Sequence, residues 1–496
     1  MKNEQASIIG VYPYPHYANK GKVEKVLEVL KEYRKTAQKI ANLQWNYFYK
    51  NQTFNKYISV KEVESKLSER YKQSCLWQVY GVLNSYLSNI KRKFFEIVYN
   101  SNLPREDKLI LYALNSKNAW LKYEENEITC YDNGKKTICP VLDHHRKLAK
   151  KLFHHLLKTN RKPKFNKISM HLDEKVAVVK EKEPNKAKEF DYWIRFSTLE
   201  KGKPVYIPLK KNSYAEALEG EFLNFIQVVQ LDDGDIEIKR VKELKKKNYT
   251  PITESIAIDL GLTPLFATDK GDLFGRNFIE KLKEFDRKIT NRMAYLQKNN
   301  TKPSSDKKYR ELVRKFRDYL KNEINRLLNR LLEIHKPAKI IVEKLDFRSP
   351  ELSKRLNRLI QNFGKRFVRE KLKRFQELYS IQVIEVNPAY TSQECSSCGY
   401  VDKNNRKDTQ VFECKACKLQ INAQVNGARN IGRRSSLADI VKPHTPKKKV
   451  LQILIKRYLE RYNGCNSPPV DLLKNPYFRD FLGRSKPLEC ELNKCL

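Results

Sequence analysis

Two Cys-x-x-Cys pairs, Cys395/Cys398 and Cys414/Cys417, with 15 residues between them, constrain this chain more than any other feature. Each pair makes a tight knuckle, and four thiolates can close a tetrahedron around one Zn²⁺. The spacing predicts a zinc ribbon at 394–420 whose metal is structural. Six further cysteines, Cys75, Cys130, Cys139, Cys465, Cys490 and Cys495, are scattered. In a reducing compartment, paired spacing means metal and scattered cysteines are small core or surface residues. Cys130 and Cys139 followed by His144 and His145 suggest a second metal site. That spacing matches no common ligand pattern, so inert structural residues are the default reading.

Charge comes next. The 496 residues carry 99 Lys+Arg against 58 Asp+Glu, a formal net charge of +41. Such an excess self-repels unless a polyanion compensates it, and nucleic acid is the expected one. Hydrophobic residues at 40% suffice to build cores, which excludes a disordered basic tail. The length suggests about three domains. No segment approaches the roughly 20 apolar residues of a membrane span. The first residues, Met1 to Gln5, lack a signal-peptide core. A cytoplasmic protein is expected.

Periodicity divides the chain. Residues 7–13 read as a short strand. From Lys20 to about Lys158 the pattern is helical, with Val23, Val26, Leu27, Leu30, Ala37, Ile40 and Ala41 at spacings of three and four. The basic residues between them give a face suited either to solvent or to phosphates. After a polar breaker at 160–166, short alternating runs predict a small β-barrel or sandwich over about 165–248, with a hairpin turn at 232–234. Then strands ending in acids, at 255–261 and 339–345, and a third strand near 382–386 alternate with helical stretches. That alternation argues a mixed α/β sheet.

Asp259 and Glu343 each follow a run of β-branched apolar residues, so both are expected at strand ends facing one cleft. Carboxylates gathered from separate strands are what a two-metal phosphodiester site requires, because clustered acids offset the charge of two Mg²⁺ ions. Either acid alone reads equally well as a capping or solvated carboxylate.

Taken in order, Ile258-Asp-Leu-Gly, Ile341-Val-Glu-Lys-Leu, Asn387-Pro-Ala-Tyr-Thr-Ser-Gln-Glu-Cys-Ser-Ser-Cys-Gly and Asn422-Ala-x-x-Asn-x-Ala-x-Asn-Ile resemble the RuvC nuclease motifs and inserted zinc ribbon of the TnpB proteins. They resemble equally the miniature type V-F CRISPR effectors. The resemblance implies a multidomain α+β protein. It would comprise a first wedge strand (1–19), a helical recognition lobe (20–160) and a β-barrel wedge domain (161–250). An RNase H-like (RuvC) domain (251–393, helical insertion 276–335) would follow, then the ribbon (394–420) as target-strand loading region. The third RuvC motif helix (421–435) and a C-terminal extension (436–496) would complete it. It implies guide RNA and double-stranded target DNA as partners, held through basic residues of the lobe and wedge, and two protomers on one guide RNA.

At Gln424 the chain departs from that pattern, since the families have the third RuvC acid there. A neutral amide is a poor substitute for an anionic ligand of a hard cation, so Mg²⁺ should bind weakly and chemistry should slow by orders of magnitude. Asp269, Asp346 and Asp439 are the possible substitutes. Lys418, where the second knuckle often has Gly, is a smaller departure. The expected function is RNA-guided DNA binding with little or no cleavage, acting by occupancy or by recruiting a transcription-related protein through 436–496. The alternatives are a working guided endonuclease with an unconventional third ligand, and an unguided zinc-ribbon nucleic-acid protein. Within the extension, 442–449 reads as a linker. The helix around 450–462, with Leu451, Leu454, Tyr458 and Leu459 on one face, reads either as packing back on the body or as a docking peptide.

Overall fold

The computed structural model describes residues 8–132, 134–181, 189–231, 233–343, 350–408, 410–443, 445–461 and 470–483. Asp232, Asp346, His444, Cys465, Cys490 and Cys495 lie outside them. The chain forms two compact units that divide at residue 245.

In the first unit, β1 (Ile8–Tyr14) leads into α1 (Lys20–Asn51), α2 (Glu69–Tyr99) and α3 (Arg105–Ser116). Asn19 and Ser68 cap α1 and α2 by accepting the backbone N–H of Lys22 and Tyr71. Inside the stretch expected to be helical, β2 (Glu127–Asp132) and β3 (Lys135–Pro140) make an antiparallel hairpin before α4 (Asp143–Thr159). Gly134 supplies the left-handed turn residue between them. Helix α4 closes the core by stacking Phe153 on Trp120, centroids 4.4 Å apart.

Next come β4 (Met170–Asp173), β5 (Ala177–Glu181), β6 (Tyr192–Phe196), β7 (Val205–Leu209), the single turn α5 (Ser213–Glu216), β8 (Gly220–Gln230) and β9 (Ile236–Leu244). Strands β8 and β9 pair antiparallel across the 232–234 turn. Where a small barrel or sandwich was expected, the described strands form two hydrogen-bonded sheets, β1-β9-β8-β4 and β5-β6-β7. The chain leaving β1 joins them, with Tyr17 N–H donating to Pro208 O and Lys210 N–H to Pro15 O. Among the described residues no ladder pairs β4 with β5, which are joined by a tight turn (Val176 N–H to Asp173 O).

The second unit is built on β10 (Thr253–Leu260), β11 (Phe266–Thr268) and β12 (Leu273–Phe274). These are followed by α6 (Phe278–Lys298), α7 (Lys307–His335), β13 (Pro337–Glu343), α8 (Lys354–Tyr379) and β14 (Gln382–Val386). The sheet order is β12-β11-β10-β13-β14, antiparallel at the first two pairings and parallel at the last two. Alternation along β10 sends Ile256, Ile258 and Leu260 into a core with α6, α7 and α8. Ala257 and Ile341 face the other way, against Ile431 of α9 (Ala423–Ser435), which follows the ribbon strands β15 (Val411–Glu413) and β16 (Gln420–Asn422). Among the described residues no helix is long and apolar enough to cross a membrane.

Beyond α9, the tail forms α10 (Lys447–Glu460) and α11 (Pro476–Leu482). Both pack on the ribbon: Ile455, Tyr458 and Phe478 share a core with Tyr400, Phe412, Cys395 and Cys414. The segment expected to be a linker is held instead, Asn387 Nδ2 donating to the carbonyls of Lys442, Pro443 and Thr445. The apolar face of α10 is thus already covered within the chain. Each buried side chain of this kind is worth about 1.5–3 kcal/mol. Truncation after Ser436 is therefore expected to lower the melting temperature and to make 394–422 sensitive to protease, both measurable by calorimetry and limited proteolysis.

Candidate metal and acid site beside the ribbon

The two knuckles of the ribbon share one backbone hydrogen bond and differ in the residue that donates to the first sulfur. Gly399 N–H donates to Cys395 O, and Lys418 N–H to Cys414 O. Ser397 and Cys417 backbone N–H groups donate to the Sγ of Cys395 and Cys414. The four Sγ atoms lie within 4.8 Å of one another, with Cys395–Cys417 and Cys398–Cys414 at 3.6 Å. Four thiolates about 2.3 Å from a tetrahedral Zn²⁺ would be about 3.8 Å apart, so the residues fit that ion. Gly399 and Lys418 occupy equivalent positions, with φ of +82° and +59°. Lysine there bears the left-handed strain that glycine avoids. Lys418→Gly is expected to raise the thermal midpoint by a few degrees and to leave the zinc content, read by metal analysis, unchanged.

The other metal suggestion resolves differently. Cys130 and Cys139 stay on the β2–β3 hairpin, while His144 and His145 turn to Asp107. His145 Nδ1 accepts the Leu142 backbone N–H, so Nε2 carries the proton and donates to Asp107 Oδ1 at 2.9 Å. A neutral imidazole so committed has no lone pair for an ion. The cluster is a helix cap.

Strand alternation brings the two acids together. Asp259 follows the Ala257 side of β10 and Glu343 the Ile341 side of β13, one position beyond the Ile258/Val342 pairing, so both face α9. Both are half-buried. Withdrawal from water pushes both carboxyls above their ordinary values, and the Asp259 charge pushes Glu343 further; Arg406 opposes the shift at both, and Arg434 at Glu343. Thr391 Oγ1 donates to Glu343 Oε2 at 2.8 Å.

Helix α9 reaches the strand because small residues let it. A Cβ on Gly427 would meet the Asp259 carboxylate, and one on Gly261 would meet the Gln424 amide. Asn422 caps the helix, accepting the N–H of Gln424 and Val425. Asn426 and Asn430, one turn apart, tie it to the first knuckle: Asn426 Oδ1 accepts Ser396 N–H, and both amides donate to Glu394 O. Gln424 is buried at 6% exposure. Its Nε2 donates to Thr263 O at 3.0 Å, and its Oε1 has no partner among the described residues.

None of the substitute acids joins the pair in the described structure. Asp269 Oδ1 accepts Ala257 N–H, Asp439 is exposed beyond the end of α9, and Asp346 lies outside the described residues. Among the described residues, no group of three or more possible metal ligands includes Asp259 or Glu343. Thr391, Asn426, Asn430 and the buried pair Arg434–Glu394 (2.9 Å) are functional neighbours that the sequence reading does not single out, although Thr391, Glu394 and both asparagines stand within the motifs given above.

Residues 366–431, which hold the four-cysteine ribbon and the first part of α9 but neither strand-end acid, match the family model of the Cas12f1-like TNB domain. The CRISPR-associated endodeoxyribonuclease Cas12f1 of Sulfoacidibacillus thermotolerans is 41% identical over 75 residues, 15% of this chain and 18% of that one. A TnpB-like protein of Methanocaldococcus jannaschii is 31% identical over 157 residues, 32% of this chain and 36% of that one. The cryo-EM structure of a Cas12f1–sgRNA–target DNA complex covers 86% of this chain and 98% of that one at 14% identity and a TM-score of 0.37, a likeness too loose to argue from. Over these stretches the chain is similar to miniature, TnpB-like type V effectors. It spans about a fifth to a third of the length of these two relatives.

A raised carboxyl costs stability above its folded value and nothing below its ordinary value. In metal-free buffer, Glu343→Gln should therefore raise the melting temperature at alkaline pH, and the gain should fade as pH drops toward the ordinary glutamate range. Calorimetry across pH checks it.

Proposed function

We propose that this chain is an RNA-guided double-stranded DNA-binding protein. A guide RNA pairs with target DNA beside a short flanking motif, and the protein holds the heteroduplex by its backbone. Its RuvC-like site is degenerate and cuts little or not at all, so the output is occupancy or recruitment of a partner in transcription control. The matches to an endodeoxyribonuclease of the CRISPR type and to TnpB-like proteins support the guided part of this reading. So does the charge of +41. The sheet order, antiparallel then parallel, supports an RNase H-like domain.

Gln424 carries the reading. The position on which the resemblance puts the third acid holds an amide that is spent on the Thr263 carbonyl. Two carboxylates and one neutral oxygen leave a pair of Mg²⁺ ions less compensated than three carboxylates would. The donor set fits a weakly held Mg²⁺ at Asp259 and Glu343, which would supply Lewis-acid chemistry if bound. The unpartnered Oε1 of Gln424 favours the second reading, a slow endonuclease with an amide oxygen as its third ligand. Recruitment through α10 would first require its apolar face to leave the ribbon.

The purified ribonucleoprotein, incubated with matched and mismatched duplex DNA with and without Mg²⁺, tests both. Matched DNA is expected to bind without being cut, and Gln424→Asp to gain Mg²⁺-dependent cutting at least tenfold, lost again in Gln424→Asp/Glu343→Ala. Cutting by the native chain that Gln424→Asp does not increase would overturn the degenerate-site reading.

A further inference from the structure

Helix α9 ends on Arg433 and Arg434, and α10 carries Arg457, with Arg461 just beyond it. These four arginines and Glu394 line one cavity of about 200 Å³. Arg434 is 1% exposed; its Nη2 pairs with Glu394, while its Nη1 is buried and has no partner among the described residues. Asn430 Oδ1, on the same wall, has no donor there either. Arg461 is anchored by donating to the Cys398 carbonyl. One carboxylate cannot balance four guanidiniums, and a buried guanidinium N–H left unbonded is costly.

We propose that this cavity is a phosphate-binding site. Guanidinium forks match the oxygens of a phosphate in pairs, which an ammonium does not. At about 30 Å³ per water, the cavity has the volume of six or seven waters, room for one phosphate group and its hydration. Glu394 orients Arg434 and leaves Nη1 for the ligand. The phosphate is either that of a polynucleotide or free in solution.

The test uses the full chain without guide RNA and so stands apart from the guided-binding reading. Calorimetric titration with inorganic phosphate, at ionic strength matched by chloride, is compared with 5′-phosphorylated and 5′-hydroxyl single-stranded oligonucleotides. Phosphate is expected to bind the native chain, and Arg457→Gln/Arg461→Gln to lose at least tenfold in affinity. The charge-matched control Lys288→Gln/Lys315→Gln, on α6 and α7, should lose nothing. Oligonucleotide binding that prefers the 5′-phosphate and is lost in the same variant assigns the site to nucleic acid; binding of inorganic phosphate alone assigns it to the free anion. If the arginine variant melts early in chloride, Arg457→Lys/Arg461→Lys keeps the charge, loses the forks and should still weaken phosphate several-fold. Phosphate binding that no arginine variant weakens, or none above chloride, overturns the proposal.

Discussion

The contact between β10 and α9 governs the second unit. Gly427 lets the helix settle over the Asp259 carboxylate, and Gly261 makes room for the Gln424 amide. The same helix is tied by Asn426 and Asn430 to the backbone of the first knuckle. The ribbon, the helix and the acid-bearing strand are therefore fixed to one another through short polar side chains rather than apolar volume. A helix laid this closely needs small residues at fixed places, which explains why Gly, Ala and Asn dominate 422–430.

The acid pair is electrostatically unfavourable as it stands. Asp259 and Glu343 share the α9 face, repel each other, and are opposed by arginines from the ribbon and from the end of α9. In a site with three carboxylates, cations would be the natural counter-charge. On the function proposed above, the Gln424 amide stands in place of a third charge, and the nearby guanidiniums offset part of the repulsion between the other two.

What was legible in the sequence was whatever a local pattern dictates. Cysteine spacing led directly to the knuckles, and β-branched runs ending in Asp259 and Glu343 led to adjacent strands. A turn signal led to the β8–β9 hairpin. The β2–β3 hairpin was missed because its strands are six residues each and carry polar residues on both faces, so they interrupt a helical pattern without announcing a period of two. Arg434 was hidden for another reason. An arginine in a chain with so many basic residues reads as solvated surface, and only its burial against Glu394 sets it apart. The amphipathic face of α10 was visible, but a stripe of apolar residues does not name its partner, and the ribbon proved to be it.

Tail and ribbon also bear on motion. Tyr400 stacks on Phe478 and Tyr458 meets both rings, while Asn475 donates to Tyr400 Oη and the Val401 carbonyl. A ribbon swinging alone would have to open this aromatic joint and expose it to water. The ribbon and the last two helices are therefore joined as one body, and whatever displaces the tail would reach, through the ribbon, the helix that faces the acids.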